Sequence, residues 1–95
     1  MGHKPRPVLI VSADLMNQGA FERVIIVPST TAKHDIPCHV PFTRRTPEGP
    51  ITSYLCCEDV RSISVERLLR RLSSGTAPTR IMGQVEEWLR TLMAL

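Results

Sequence analysis

The sequence predicts one small domain in which a mostly antiparallel β-sheet or small barrel is followed by helices at the C-terminal end. Two observations predict this class: the β-strand signals all precede the helix signals, and the chain shows no alternation of strand and helix that would build a parallel sheet. The length of 95 residues is too short for two separate cores, so residues 1–95 should form a single domain.

Two apolar runs predict strands in the centre of the sheet. Residues 7–13 are continuous, apolar and rich in β-branched side chains, as expected for a strand that is covered on both faces. Residues 23–28 repeat this signal, and Pro28 should stop the strand because proline lacks the N–H that a ladder needs. Residues 14–22 between them have the composition of a loop.

The middle of the chain predicts a short strand and then a long connection. Residues 38–42 alternate between apolar and polar and predict a half-buried strand that Pro41 limits. Residues 43–52 contain two arginines, two prolines and a glycine, a composition typical of surface loops. We therefore expect a long flexible loop there.

Another strand is predicted over residues 53–63. Alternation along a strand should place Cys56 and Cys57 on opposite faces and Glu58 on the same face as Cys56. One of the two cysteines should therefore belong to the core.

Two helices are predicted after the strands. Ser64 can cap a short helix over residues 65–72. A second helix should begin near residues 76–78, because proline is tolerated in a first turn. Its apolar stripe follows the helical spacing i, i+4, i+7, i+8, i+11 and consists of Ile81, Val85, Trp88, Leu89 and Leu92.

The composition predicts the cellular location of the protein, the state of its cysteines and the kind of partner it can bind. No apolar run approaches the roughly 20 residues that cross a bilayer, so we expect a cytoplasmic protein without a membrane partner. The three cysteines include no CxxC pair and should remain reduced. A net charge of +3 permits a polyanionic partner but does not require one.

Motifs for metals and cofactors are missing from the sequence. The chain contains no P-loop, no GxGxxG and no nucleophile elbow. His34, Cys38, His39 and Cys56 include the residue types that bind zinc, but the paired spacing of zinc motifs is absent. The sequence therefore predicts no metal and no cofactor.

Several segments, taken in order, resemble the MazF/PemK family of type II toxin endoribonucleases. They are RPVLIVS at 6–12, VIIVPSTT at 24–31 with HV at 39–40, SYLCCEDVRSI at 53–63, ERL at 66–68, and the closing helix. The resemblance implies an SH3-like β-barrel with a C-terminal helix, the fold shared by MazF, PemK and CcdB, which agrees with the order of elements above.

The resemblance also implies an activity. Family members cleave single-stranded RNA without a metal, through attack of the 2′-hydroxyl on the adjacent phosphorus, which leaves a 2′,3′-cyclic phosphate. The expected substrate is mRNA, with tRNA or rRNA as alternatives. The expected assembly is a homodimer, inhibited by an antitoxin whose acidic, flexible tail occupies the RNA groove.

Four residues match positions that the family uses in catalysis. Arg6 matches the catalytic arginine, whose guanidinium can donate two parallel hydrogen bonds to a phosphate. Thr30 matches the threonine of the PxT motif, with Thr31 as the alternative register. Glu58 falls where some members carry a general base, and His3 resembles the histidine of the family's first loop.

Basic residues are the expected RNA-binding groups. Arg44, Arg45 and Arg61, together with Thr31, are the candidates, although such residues are often simply solvated. The four aromatic residues of the chain give no basis for assigning base recognition.

The N-terminus departs from the family pattern, because the chain begins within the loop that normally follows a first strand. We expect another subunit or an upstream segment to complete the sheet if the protein is active. Two other functions therefore stay open: a catalytically inactive module that binds nucleic acid or protein, and a CcdB-like gyrase inhibitor.

Overall fold

The computed structural model describes residues 6–13, 22–68 and 77–95. These residues form five β-strands, two 3-10 helices and one α-helix. The strands are β1 Val8–Ile10, β2 Arg23–Thr30, β3 His39–Thr46, β4 Gly49–Cys56 and β5 Arg61–Ser64. The 3-10 helices are Cys57–Asp59 and Val65–Arg67, and the α-helix, α1, is Thr79–Met93.

Strand β2 is the centre of an antiparallel half-barrel. Its first half pairs with β5, from Arg23 opposite Ser64 to Ile26 opposite Arg61. Its middle pairs with β1, where Pro28 lies opposite Val8. Its last two residues pair with β4, which also pairs with β3. One long strand therefore joins two sheets, and its C-terminal end lies where they meet.

Two prolines that were expected to end strands lie inside them. Strand β2 continues past Pro28 to Thr30, and β3 continues past Pro41 to Thr46. The prediction at Pro28 is wrong because β2 changes partners there, from β1 to β4, so a missing N–H is tolerated.

The predicted flexible loop over residues 43–52 is instead the tight end of the β3–β4 hairpin. All eight residues of β3 pair with β4, ending with Thr46 opposite Gly49. Gly49 has a φ of 115°, which suits glycine, and the Thr46 hydroxyl donates to its carbonyl at 2.6 Å. Turn residues lie at 47–48 alone, and the arginines before them belong to the strand.

Strand β1 is shorter and more exposed than predicted. It spans three residues, and Val8 and Ile10 are 36% and 37% exposed, while Leu9 packs against the core. In the described part of the chain, β1 pairs with β2 alone. The expectation of cover on both faces is therefore wrong. The predicted loop at 14–22 lies, except for Glu22, outside the described residues.

The strand predicted over residues 53–63 is divided in two by a 3-10 helix. Because Cys57 begins this helix, the alternation of faces stops there, and both Cys56 and Cys57 are buried. All three cysteines are free. Burial, with the nearby Cys38 thiol and Glu58 carboxylate, raises the pKa of Cys57 to about 11, so its thiol stays protonated at neutral pH.

The helix predicted over residues 65–72 is wrong as far as the structure describes it. Ser64 does cap a turn, since its hydroxyl accepts the N–H of Glu66 at 3.3 Å. The turn is a 3-10 helix of three residues, and Leu68 has extended dihedral angles, which end it. Residues 69–72 lie outside the described ranges.

Helix α1 closes the larger core. Ile81 and Val85 of the predicted stripe are buried against strand residues that include Val27, Val40 and Leu55. Trp88 and Leu89 pack at the margin, while Leu92 is exposed near the end of the helix. A smaller hydrophobic cluster on β2 and β5 consists of Val24, Ile26 and Ile63, and Leu68 packs against it. Within the described residues, no helix is both long and apolar enough to span a bilayer.

Candidate functional site

A pocket of about 200 Å³ lies where the two sheets meet at the C-terminal end of β2. It is lined by residues from the segment before β1, the end of β2, and the β3–β4 hairpin. These are Arg6, Pro7, Ser29, Thr30, Thr31, Arg44, Ile51 and Ser53. We call it the arginine pocket. It brings together Arg6, Thr30 and Thr31, which the family resemblance selected, and Arg44, which was expected to bind RNA because it is basic.

Arg6 is held beside β2 through the backbone that follows it. The Ser29 hydroxyl donates to the carbonyl of Pro7 at 2.6 Å, and the pairing of Val8 with Pro28 continues this attachment. Arg6 itself is exposed. Its backbone is therefore fixed next to β2 while its long side chain can extend to a ligand in the pocket.

Thr30 is the last residue of β2 and presents its hydroxyl at the strand end. The hydroxyl oxygen accepts the backbone N–H of Ala32 at 3.2 Å, a local bond that fixes the side chain. Because a hydroxyl can accept and donate at once, its hydrogen can still be directed to an anion. Thr31 is more exposed than Thr30 and lines the same pocket.

Arg44 enters the pocket from the β3–β4 hairpin. It lies opposite Ile51 and is half-buried. Its Nε atom is buried and has no hydrogen-bond partner in the described ranges. A buried N–H group without an acceptor is costly, and an anion in the pocket would provide one.

The charge of the arginine pocket is therefore positive. Its lining contains two arginines, and no aspartate, glutamate or histidine is among the described residues that line it. The polar groups besides the arginines are hydroxyls, including the buried Ser29 and Ser53. These two serines were missed in the sequence, although a serine within an apolar strand is a sign of a specific hydrogen bond. Such a site suits a phosphate.

Two predicted RNA-binding arginines lie away from the arginine pocket. Arg45 follows Arg44 on β3, so strand alternation directs it to the opposite face, where it is exposed. Arg61 begins β5, lies opposite Ile26 and is also exposed. Neither residue lines the pocket.

Glu58 lies in a second polar group, next to the start of β3. The Nε2 atom of His39 is 2.7 Å from Glu58 Oε2, and the Cys38 thiol donates to Glu58 Oε1 at 3.4 Å. Partial burial opposes ionisation, but the hydrogen bonds from His39, its own backbone and Cys38 outweigh it, so the pKa of Glu58 is lowered. Glu58 does not line the arginine pocket.

Sequence reasoning did not connect His39 with Glu58. The contact depends on the pairing of His39 with Cys56 and on the 3-10 helix that follows, neither of which local patterns reveal. His3, the remaining catalytic candidate, lies outside the described residues.

Comparison with protein families shows which family of proteins the chain belongs to. The family described as "PemK-like, MazF-like toxin of type II toxin-antitoxin system" matches residues 1–93. The chain therefore belongs to this toxin family, as the sequence motifs predicted.

Solved structures confirm the predicted fold. The chain is similar to Mycobacterium tuberculosis toxin MazF-mt6, with a TM-score of 0.76 and 22% identity over 95% of this chain and 87% of that one. A second structure, described as an Mtb toxin, gives a TM-score of 0.75 and 22% identity over 93% and 92% of the two chains. No curated protein matches the sequence significantly.

Proposed function

We propose that the protein is the toxin of a type II toxin–antitoxin pair and acts as a metal-independent endoribonuclease on single-stranded RNA. Membership of the toxin family supports the first part. The observation that carries the second part is that Arg6, Thr30 and Arg44 line one positively charged pocket. A phosphodiester of the RNA backbone would occupy it.

The proposed reaction is an internal transesterification. The 2′-oxygen bonds to the adjacent phosphorus, the bond from phosphorus to the 5′-oxygen breaks, and the proton of the 2′-hydroxyl ends on the departing oxygen. The products are a 2′,3′-cyclic phosphate and a 5′-hydroxyl, so atoms balance without water or a metal. Negative charge accumulates on the phosphorane oxygens in the transition state.

The pocket residues have complementary roles in this proposal. Arg6, whose side chain is exposed, donates its paired N–H groups to the phosphorane oxygens. Arg44, which is half-buried, supplies a positive charge from the β3–β4 hairpin. Thr30 donates its hydroxyl hydrogen to a phosphate oxygen or orients the 2′-hydroxyl.

The proposed partners of the protein follow from the positive charge of the arginine pocket. The proposed antitoxin has an acidic, flexible segment whose carboxylates would compete with RNA for the two arginines. A homodimer, in which RNA lies in a groove across the interface, would extend the surface beyond one pocket. We expect the protein to act in the cytoplasm, where its RNA substrate is found.

The decisive experiment compares Arg6→Ala with Arg45→Ala. Both substitutions remove one arginine, but only Arg6 lines the pocket, so Arg45→Ala controls for net charge. In EDTA, wild type and Arg45→Ala should cleave single-stranded RNA and leave a 5′-hydroxyl. Arg6→Ala should lose roughly 100-fold or more in rate, the typical effect of removing a transition-state donor. Equal rates for all three proteins would refute the assignment.

A non-catalytic RNA-binding module is the second candidate, favoured by one observation. The described residues that line the pocket include no carboxylate or imidazole that could accept a proton. Salt-dependent RNA binding by the wild type, with no product carrying a 5′-hydroxyl, would select this function.

A further inference from the structure

Beside the second polar group lies Cys56, and with it three residues of metal-binding types come together, of which His39 is distant in sequence from the other two. A ring nitrogen of His39, the thiol of Cys56 and a carboxylate oxygen of Glu58 all lie within 4.8 Å of one another. The pairing of His39 with Cys56 brings two of them together, and the 3-10 helix after β4 turns Glu58 toward them. The absence of a sequence motif therefore did not exclude a metal centre.

The distances suit a small ion after a modest adjustment. Around tetrahedral zinc, with bonds of about 2.0 to 2.3 Å, donor atoms are roughly 3.3 to 3.8 Å apart. The contact of 2.7 Å between His39 and Glu58 would have to open by about 0.6 Å to reach that range. The side chain of Glu58 is 37% exposed, so it has room to move.

Burial favours a built site over a chance surface cluster. The side chain of His39 is only 6% exposed, and Cys56 is buried to the same extent. The Nδ1 atom of His39 is also buried and has no hydrogen-bond partner within the described ranges. The other ring nitrogen, Nε2, lies against Glu58 and is the atom that would bind the metal.

We propose that His39, Cys56 and Glu58 bind a zinc ion. A mixed set of nitrogen, sulfur and oxygen donors is typical of zinc, whereas magnesium and calcium prefer oxygen alone. Three protein ligands leave a fourth position, which water would fill. Cys38, whose thiol donates to Glu58, orients that carboxylate from outside the ligand set.

The zinc site is separate from the proposed RNA chemistry. None of its three ligands lines the arginine pocket. Bound metal would join the beginning of β3 to the end of β4 and the 3-10 helix, and so stabilise the folded state. RNA cleavage in EDTA tests the proposed function, and zinc binding tests this site. A negative result in one experiment therefore leaves the other proposal standing.

Cobalt(II) is the best probe, because a thiolate ligand gives it a charge-transfer absorption. The full chain, stripped with EDTA, is titrated with cobalt and then with zinc. We expect one cobalt ion per chain, a thiolate charge-transfer band, and loss of this band when zinc replaces cobalt. Zinc should also raise the melting temperature.

Matched variants test the ligands. Cys56→Ser should abolish the charge-transfer band, and His39→Gln or Glu58→Gln should weaken cobalt binding at least tenfold. The controls are Cys57→Ala, a buried neighbour outside the group, and His34→Gln, whose ring contacts His39 edge-on with centroids 6.0 Å apart. Both controls should keep the band, and circular dichroism checks that each variant is folded.

Two results would overturn the proposal. One is a wild-type protein that binds neither ion or gives no thiolate band. The other is a band that persists in folded Cys56→Ser. If the variants do not fold, X-ray absorption at the zinc edge on the wild type tests the ligands instead. One sulfur in the zinc ligand shell would support the site, and a shell without sulfur would contradict it.

Discussion

The arginine pocket and the group of His39, Cys56 and Glu58 are both polar, but they differ in how their charges are balanced. The pocket holds two arginines, and no described acidic residue lines it. In the second group, His39 and Glu58 face each other at 2.7 Å, and Cys38 adds a further bond to the carboxylate. Among the described residues, the pocket thus offers positive charge to an anion, whereas the second group contains a carboxylate that already accepts hydrogen bonds.

This difference separates two kinds of candidate residue. A phosphate is an anion, so an arginine attracts it and the Glu58 carboxylate repels it. Arg44 has a buried Nε with no acceptor among the described residues, so a phosphate could supply one. We therefore propose that phosphate binds in the arginine pocket and expect Glu58 to take no leading part in it.

Among the variants that test this comparison, Arg6→Lys should have the largest effect on RNA cleavage. Lysine keeps the charge but loses the planar pair of N–H donors that matches two phosphate oxygens. We expect the rate of RNA cleavage to fall roughly 10- to 100-fold, less than in Arg6→Ala, with RNA affinity nearly unchanged. Single-turnover cleavage and a binding titration measure the two quantities. Full activity of the lysine variant would mean that Arg6 acts only as a point charge.

Arg44→Ala should have the next largest effect, mainly on binding. Removing one phosphate contact should reduce the slope of log affinity against log salt by about 0.7 for a single strand. The neighbouring Arg45→Ala, on the opposite face of β3, is the control and should leave more of that slope intact. Fluorescence anisotropy with labelled RNA at several salt concentrations measures both. Equal changes in the two variants would show that the pocket has no special role in binding.

The comparison also shows what the sequence could predict. The buried character of β2 and the apolar stripe of α1 were predicted correctly, because local hydrophobic patterns specify them. The family motifs selected Arg6 and Thr30, which the fold then brought to one pocket. These features depend on residues close in sequence or on a pattern that the family shares.

The errors arose where pairing between distant segments decides the structure. Residues 43–46 have a loop composition, yet they form a strand because β4 satisfies their backbone groups. The turn at Cys57–Asp59 broke the expected alternation and turned Glu58 toward His39. Neither event is encoded in a window of a few residues, so the second polar group could not be predicted.

Thr30→Val should have a smaller effect on cleavage than Arg6→Lys. Valine keeps the shape of threonine but removes the hydroxyl, which accepts the Ala32 N–H and, in the proposed function, donates to the substrate. We expect a loss of roughly tenfold in single-turnover rate, equivalent to one neutral hydrogen bond. Thr31→Val, at the more exposed neighbour, is the matched control and should lose less. A larger loss in Thr31→Val would move the assignment to the alternative register.

The smallest effect should come from Glu58→Gln in EDTA, and it should appear mainly in stability. The amide keeps the shape of the carboxylate but weakens the charge-assisted bond to His39, which contributes about 1 kcal/mol after allowance for its exposure. Urea unfolding should therefore show a free energy lower by about 1 kcal/mol. A carboxylate with a lowered pKa is a weak general base, so the cleavage rate should fall far less than in Arg6→Lys. A loss of cleavage as large as that of Arg6→Ala, with stability unchanged, would instead identify Glu58 as the base and erase the distinction between the two sites.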